Sequence, residues 1–181
     1  MNLEIIRATS ENAIEMGFIH SCSWRKAYKG IIPDKIIDEF TSEKRAEVFQ
    51  SVIPKAEEEY YLFKVNGIPA GFASLNRSQE DNAPKCVGEI YSIYFHPDFW
   101  GTSVTKKGLQ FCIDRLSNLG YSYITIWVLK DNTRAINFYK KMVLLVMILR
   151  KRYILEKIIR STLFKKDIVI AYYFCLLFIL Q

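Results

Sequence analysis

Residues 86–119 decide the fold, and they read CVGEIYSIYFHPDFWGTSVTKKGLQFCIDRLSNL. Residues 86–95 are rich in aromatic and β-branched side chains and predict a strand. Over residues 103–119 the apolar residues recur at helical spacing and the polar ones take the other face, which predicts an amphipathic helix. A strand that enters a helix through the short loop 96–102 directs the free N–H groups and the positive dipole of the helix at one point. That geometry suits a pyrophosphate, although strand–loop–helix units are common and the pattern alone is weak evidence.

The rest of the chain predicts a mixed sheet flanked by helices, so the expected fold class is α/β, with an α+β type of sheet. Asn66-Gly67 is a strong hairpin signal between two strands. Ser10 is the predicted N-cap of the first helix. The further predicted strands are 3–7, 59–65, 68–76 and 121–129, and the further predicted helices are 13–28, 33–40, 43–51 and 133–142.

Charge and cysteine usage restrict the class of protein. The net charge is +6, but residues 1–142 carry 18 Lys/Arg against 17 Asp/Glu, whereas residues 143–181 carry 7 against 2. The basicity belongs to the end of the chain, which argues against nucleic acid as a partner. Four scattered cysteines without a CxxC pair favour a reducing cytoplasm. Two distant histidines offer no metal-ligand spacing, so no metal is expected.

Three segments carry a resemblance to one family. Residues 89–101 read EIYSIYFHPDFWG, residues 131–142 read DNTRAINFYKKM, and residues 23–34 read SWRKAYKGIIPD. The first resembles motif A of the GNAT acetyltransferases, the second resembles their motif B, and the third is similar to the first-helix region of one bacterial branch. The resemblance covers about residues 1–142. It implies the GNAT acyl-CoA N-acyltransferase fold, a central and mostly antiparallel sheet flanked by helices.

The resemblance also implies an activity and a cofactor site. Such enzymes transfer an acetyl group from acetyl-CoA, a co-substrate, to an amine by direct attack in a ternary complex. The strand at 86–95 would be splayed from its neighbour and would pair with the pantetheine arm through backbone groups, and the turn after it would bind the pyrophosphate. The cofactor-binding residues implied are Ile93, Tyr94, Phe95, Gly101, Thr102, Ser103, Val104, Thr105, Lys106 and Asn132.

Two catalytic roles follow from the same resemblance, and each has a structural alternative. Tyr139 would lie near the thioester sulfur and protonate the departing thiolate, or it is a core residue at helical spacing. Glu89 would act as a base on the amine, directly or through water, or it is a solvated strand residue. Asn132 would suit a turn in any protein. Trp24 and Tyr28 are one helical turn apart and belong to the core or to a pocket wall.

The phosphate turn departs from the family pattern. The family usually has Gln or Arg, then two residues, Gly, one residue, and Gly or Ala, where this chain has Trp100, Ser103 and Thr105. The β-branched Thr105 restricts the backbone and the space, although its hydroxyl could contact a phosphate oxygen. A catalytically impaired GNAT-like protein or a CoA-binding module is therefore an alternative to a working enzyme.

Residues 143–181 do not match the family, so the expected domains are a GNAT domain at 1–142 and an aberrant basic and apolar tail. We hypothesise a single-nucleotide deletion after the Met142 codon, because back-translation in the shifted frame permits a family-like ending that begins Met-Gly-Phe. The last strands of the sheet are then altered or missing. Anchoring by the thirteen apolar residues 168–180 is the membrane alternative, but thirteen fall short of the roughly twenty needed to span a bilayer.

The acceptor cannot be read from these motifs. Similar enzymes use small-molecule and peptide amines, and their acceptor pockets are built from the variable first helices. A homodimer is common in the family and is a second open alternative here.

Overall fold

The computed structural model describes residues 2–80, 83–142, 146–151 and 169–175. Contacts divide the chain into two compact units, the first comprising Met1–Asn76 with Ile90–Leu119 and the second Arg77–Glu89 with Gly120–Gln181. The strands of the described residues are β1 Leu3–Arg7, β2 Glu59–Val65, β3 Ile68–Arg77, β4 Val87–Phe95, β5 Tyr123–Leu129, β6 Val146–Lys151 and β7 Val169–Cys175. The α-helices are α1 Ala13–Tyr28, α2 Asp34–Glu39, α3 Ser42–Val52, α4 Ser103–Asn118 and α5 Thr133–Met142.

The first unit has the strand order β1-β2-β3-β4. Strand β1 pairs antiparallel with β2, and β2 pairs antiparallel with β3, with a register shift between Phe63 and Lys64. The turn between β2 and β3 has Asn66 at φ 50° and Gly67 at φ 80°. Two consecutive positive φ values are what an Asn-Gly hairpin turn requires, and the predicted hairpin is confirmed.

Helices α1 and α3 cover one face of this sheet. Leu62 on β2 and Phe72 on β3 are fully buried there with Met16 and Ile19 of α1. The two helices cross closely at Gly17, where an added Cβ would lie 2.5 Å from the Ser42 carbonyl oxygen and 2.7 Å from the Ala46 nitrogen. The crossing therefore requires glycine at this position.

Helix α4 packs on side chains that point to the other side of the strands, since neighbours along a strand alternate. Phe63 and Phe95 stack with ring centroids 5.2 Å apart. A Cβ at Gly108 of α4 would lie 2.5 Å from Phe95 Cζ, and a Cβ at Gly71 of β3 would overlap the same ring. The Phe95 ring is thus enclosed where α4 approaches the sheet.

An ion-pair network also joins α4 to the strands. Glu59 on β2 accepts two hydrogen bonds of 2.8 Å from Arg115 on α4, and Arg7 on β1 lies 3.0 Å from the same carboxylate. The Arg115 hydrogen bonds lower the pKa of Glu59 to about 2, against the opposing effect of burial. Three elements of the first unit are therefore joined at one carboxylate.

In the second unit the strand order is β4-β5-β7-β6, and β7 pairs antiparallel with both β5 and β6. Helix α5 follows β5 along the chain. The described part of the tail contains two strands, at 146–151 and 169–175. The remaining residues of the tail, which include 168 and 176–180 of the apolar segment, lie outside the described residues. None of the described helices has the length and hydropathy that crossing a membrane requires.

The predicted helix 13–28 is confirmed, but its predicted cap is wrong. Ser10 is not the N-cap of α1 but opens a 3-10 turn, Ser10–Asn12, capped by Thr9. Asn12 side-chain Oδ1 accepts from the Thr9 backbone N–H at 3.1 Å, and α1 then begins at Ala13. The Thr9–Asn12 pair caps this turn in place of Ser10, because a capping box satisfies two backbone N–H donors whereas a single serine satisfies one.

Candidate active site

The C-terminal end of β4 presents backbone groups to the edge that does not face β3. His96 donates its backbone N–H to the Ala70 carbonyl of β3 at 2.8 Å. Because backbone groups alternate in direction along a strand, the N–H and C=O groups of Phe95 and Ile93 face the opposite edge. These are the two residues for which the resemblance implies pairing with pantetheine. Residues 91–94 are all half-buried.

Trp100 occupies part of that edge. Its indole Nε1–H donates to the Phe95 carbonyl oxygen at 2.8 Å. This bond closes the loop after β4, whose backbone is already turned by the bonds from Phe99 to His96 at 2.9 Å and from Trp100 to Pro97 at 3.1 Å. The Phe95 N–H and the Ile93 backbone groups point to the same edge, where the resemblance implies pairing with the pantetheine arm.

The turn into α4 is braced by side chains. Gly101 has φ 77°, a conformation that favours glycine. Thr102 is the N-cap, and its Oγ1 accepts from the Val104 N–H at 3.2 Å and donates to the Phe99 carbonyl at 2.7 Å. By helix geometry the N–H groups of Ser103 and Thr105 have no intrahelical acceptor. The turn therefore fits a phosphate through these amides, with less capacity than the sequence alone suggests.

Side chains around the turn separate into buried and exposed groups. Val104 and Thr105 are buried, whereas Gly101, Ser103 and Lys106 are exposed. Thr105 Oγ1 donates to the Thr102 carbonyl at 3.0 Å. This bond engages the hydroxyl proton with the backbone, and a contact between Thr105 and a phosphate oxygen stays a prediction.

Glu89 belongs to the second unit and is 6% exposed, so it is not the solvated strand residue of the alternative reading. Its Oε2 accepts from Ser78 Oγ at 2.9 Å in a buried contact. The neighbouring Gly88 carbonyl accepts from Thr125 Oγ1 of β5 at 3.3 Å. A buried carboxylate held in position by a hydroxyl is suited to proton transfer.

Asn132 precedes α5 and has a capping role. Its Oδ1 accepts from the Ala135 N–H at 3.1 Å, and its backbone N–H donates to the Leu129 carbonyl at 2.9 Å. No described residue accepts a hydrogen bond from its Nδ2. The side chain therefore both forms the turn and retains two donors for a ligand.

Tyr139 is 7% exposed and is one of the two buried residues of α5, with Ile136. Its ring lies 5.5 Å from that of Phe138. The phenol is consistent with both readings made from the sequence, since it is buried and carries an ionisable hydroxyl.

On the α1 side of β4, Trp24 donates from Nε1 to Tyr94 Oη at 3.2 Å. Trp24 stacks on Phe40 at 3.8 Å, and its ring lies 4.7 Å from that of Tyr28. Trp24 and Tyr28 are both buried, as the core or pocket-wall prediction requires. Among the described residues, no group of three His, Cys, Asp or Glu could bind a metal ion.

Sequence reasoning missed three partners. Ser78, which contacts Glu89, lies in a polar stretch with no motif, and the Trp100 indole bond depends on the loop conformation. The pairing of Arg45 with His20 joins residues 25 apart on two helices. Of these three, only Trp100 stood out in the sequence, because it departs from the family pattern of the phosphate turn.

Comparisons with known proteins agree with this geometry. Residues 16–143 match the Acetyltransferase (GNAT) family, which is most of the chain. The chain therefore belongs to the GNAT acetyltransferase family, as the three sequence segments predicted.

Among individual relatives, an uncharacterized N-acetyltransferase of Methanocaldococcus jannaschii is 30% identical over 119 residues, which are 65% of this chain and 51% of the relative. The chain thus spans about half the length of that relative.

Two solved structures share the fold. The PaiA N-acetyltransferase of Thermoplasma acidophilum, in complex with coenzyme A, superposes with a TM-score of 0.70 at 15% identity, over 94% of this chain and 98% of that one. YncA of Salmonella typhimurium, a putative acetyltransferase with its cofactor acetyl-CoA, gives 0.65 at 17% identity, over 97% and 95%. The expected acyl-CoA N-acyltransferase fold is confirmed.

Proposed function

We propose that this chain is an acetyl-CoA-dependent N-acetyltransferase that acts by direct attack of an amine in a ternary complex. The observation that carries the proposal is the β4–α4 segment. In this segment, a strand edge to which the Ile93 and Phe95 backbone groups point is followed directly by a helix start whose amides suit a pyrophosphate. Family membership and the CoA-bound relatives support the same ligand.

Acetyl-CoA supplies the activated acyl group. The Ser103 and Thr105 amides, with the α4 dipole, bind the pyrophosphate, and the Phe95 N–H and Ile93 backbone groups bind the pantetheine arm. Asn132 contributes its Nδ2 donors. Lys106, exposed on the first turn of α4, adds positive charge beside the phosphates.

The protein's own proton-transfer groups are Glu89 and Tyr139. Glu89 takes a proton from the acceptor ammonium, directly or through water, while Ser78 fixes its carboxylate. Tyr139 donates its phenolic proton to the leaving thiolate. Each transfer is general acid–base catalysis, which contributes typically ~10²–10⁴-fold to rate.

A test begins with calorimetric titration of acetyl-CoA, followed by detection of free thiol with a panel of amines. Tyr139→Phe should retain acetyl-CoA binding and lower kcat by about 10²-fold or more. Tyr123→Phe is the matched control, because Tyr123 is a β5 tyrosine that is 43% exposed. Absence of acetyl-CoA binding to the wild-type protein would refute the proposal.

We further propose the cytoplasm as its location and a homodimer as its assembly. The location is supported by Cys22, Cys86 and Cys112, which are free thiols in the described part of the chain. The dimer is supported by its frequency in the family. Cell fractionation and light scattering after size-exclusion chromatography test the two statements separately.

A further inference from the structure

Arg45 on α3 lacks the anionic partner that other arginines of the first unit have. Arg7 and Arg115 pair with Glu59, and Arg25 pairs with Asp38, although these side chains are 36–56% exposed. Arg45 is half-buried, and no carboxylate of the described residues lies within salt-bridge distance of it. Burial lowers the pKa of Arg45. A partly desolvated cation without an anion is unfavourable, so this position calls for an explanation.

The Arg45 head group is nevertheless fixed in place. Its guanidinium carbon lies 5.3 Å from the centre of the Phe40 ring and 5.5 Å from that of Phe49. Its Nε donates to His20 Nδ1 at 3.1 Å. No described residue accepts from its terminal nitrogens, so the forked end of the guanidinium is preorganised and has no protein acceptor.

His20 completes this arrangement from α1. It is 7% exposed, and burial, with a further effect of Arg45, holds the pKa of His20 well below its usual value. The imidazole is therefore neutral, and because Nδ1 accepts from Arg45 the proton is assigned to Nε2. Nε2 has no hydrogen-bond partner among the described residues.

Tyr94 supplies a further donor beside His20, with ring centroids 4.5 Å apart. Its oxygen accepts from the Trp24 indole, so its own proton needs another acceptor, and no described residue provides one. Tyr94 is half-buried and lies on β4 between Ile93 and Phe95. The cluster thus reaches the strand that binds acetyl-CoA under the proposed function.

We propose that Arg45 and Tyr94 form a recognition site for a carboxylate carried by the acceptor amine, with His20 as the residue that positions Arg45. The inference rests on the proposed function and names its substrate class, a small amine that bears a carboxylate. One cation beside neutral histidine and tyrosine matches a single negative charge, and the planar fork matches a carboxylate. The aromatic rings packed around His20 lower the local dielectric and so strengthen the attraction.

The site is first tested without acetyl-CoA. We compare thermal unfolding of the wild-type protein in 0 and about 100 mM propionate, at matched ionic strength, with propionamide as the neutral isostere. Propionate should raise Tm by about 3 °C, as expected for a ligand near ten times its Kd, and propionamide should not. Arg45→Gln should abolish the difference, and Tyr94→Phe, which removes one hydroxyl, should reduce it.

Arg25→Gln is the matched control, because Arg25 is an arginine of the same unit with its own acid, Asp38. It should keep the full propionate shift. An equal propionate shift in wild-type and Arg45→Gln protein would overturn the inference, as would no shift in the wild type. If Arg45→Gln does not fold, the propionate shifts of Tyr94→Phe and Arg25→Gln are compared instead. A smaller shift in Tyr94→Phe than in Arg25→Gln supports the site, and equal shifts overturn it.

Turnover gives the second test. Amino acids and their C-terminal amides are compared as acceptors, with thiol release as the readout. We expect kcat/KM to favour the acid over the amide by about tenfold or more, and Arg45→Gln to bring the ratio near one. A protein that binds acetyl-CoA and acetylates amides as well as acids refutes the carboxylate site but not the proposed function. Failure to bind acetyl-CoA refutes the proposed function, while the propionate shift still decides the Arg45 site.

Discussion

Thr102 and Thr105 show how a threonine-rich turn changes the start of α4. Both hydroxyl protons are directed at backbone carbonyls, at 2.7 Å to Phe99 and 3.0 Å to Thr102. Thr102 Oγ1 also accepts a hydrogen bond from the Val104 N–H. The two side chains therefore stabilise the turn while one helix amide is removed from the set that a phosphate could use.

Because the Thr105 hydroxyl bonds only to the backbone, Thr105→Ala should leave the Kd for acetyl-CoA within about twofold and cost about 0.5–1 kcal/mol of unfolding free energy. Thr102→Ala removes the cap and should cost about 1 kcal/mol. Calorimetry and urea unfolding measure the two quantities. Ser117→Ala is the control for losing a helix hydroxyl, since Ser117 bonds only to the Ile113 carbonyl. A tenfold loss of acetyl-CoA affinity in Thr105→Ala would contradict this prediction and would support a contact between the Thr105 hydroxyl and a phosphate oxygen.

At the scale of single residues, sequence reasoning identified the segments better than the side-chain partners. Asn132 was assigned both a turn role and a cofactor role, and the structure shows the first while leaving donors for the second. The burial of Glu89 and its bond to Ser78 could not be predicted, because a hydroxyl eleven residues away becomes a partner only when the intervening loop folds back.

Helix α4 depends on glycine at its contact with the sheet. A Cβ at Gly108 would lie 2.5 Å from Phe95 Cζ and 3.4 Å from Phe63 Cε2. The Phe95 ring cannot move away from α4 to make room, because Gly71 and the Phe63 ring enclose it.

Gly108→Ala should therefore destabilise the protein by about 1–3 kcal/mol, although alanine is the better helix former. Urea unfolding measures this, with Gln110→Ala on the exposed face of α4 as the control. A stabilised Gly108→Ala protein would show that α4 does not pack as closely as described.

The Glu59 network makes a prediction about pH. Its folded pKa of about 2 lies below the ordinary 4.5, so its contribution is complete above pH 4.5 and is lost as the pH falls towards 2. Glu59→Gln should reduce stability at pH 7 by about 2 kcal/mol, less than the full shift implies because the carboxylate is partly exposed. It should also flatten the stability profile between pH 4.5 and 2.

Unfolding free energies measured across that pH range check the prediction, with Glu4→Gln, an exposed glutamate on β1, as the control. A pH profile for Glu59→Gln that parallels the wild type would exclude Glu59 as the source of the acid sensitivity.

The helices and strands of the first unit were predictable because their periodicity, turns and caps agree. Strands β1 and β2, helix α1 and the Asn66-Gly67 hairpin were found at their expected residues. The cap before α1 was not, because the choice between Ser10 and a Thr9–Asn12 box depends on two mutual hydrogen bonds. The close approach of α4 to Phe95 was also beyond sequence reasoning, since a mid-helix glycine does not reveal its neighbour.

At the scale of the whole molecule, the family match ends at residue 143, where the tail begins. We propose that residues 143–181 arose from a one-base deletion after the Met142 codon. Strands β6 and β7 then form from a sequence that was not selected for them.

The gene sequence decides this proposal. Insertion of one base after the Met142 codon should open a continuous frame that encodes Gly-Phe next and a family-like ending. If no single-base change opens such a frame, the tail has another origin.

The crossing of α1 and α3 at Gly17 has a consequence for how such a protein can diverge. Gly17 lies one helical turn before His20, and its neighbour across the crossing, Ala46, follows Arg45. Any larger residue would push the two helices apart and separate the imidazole from the guanidinium. Under the proposed carboxylate site, acceptor preference and folding would then change together, so new specificities should arise by substitution around the aromatic rings while this glycine is retained.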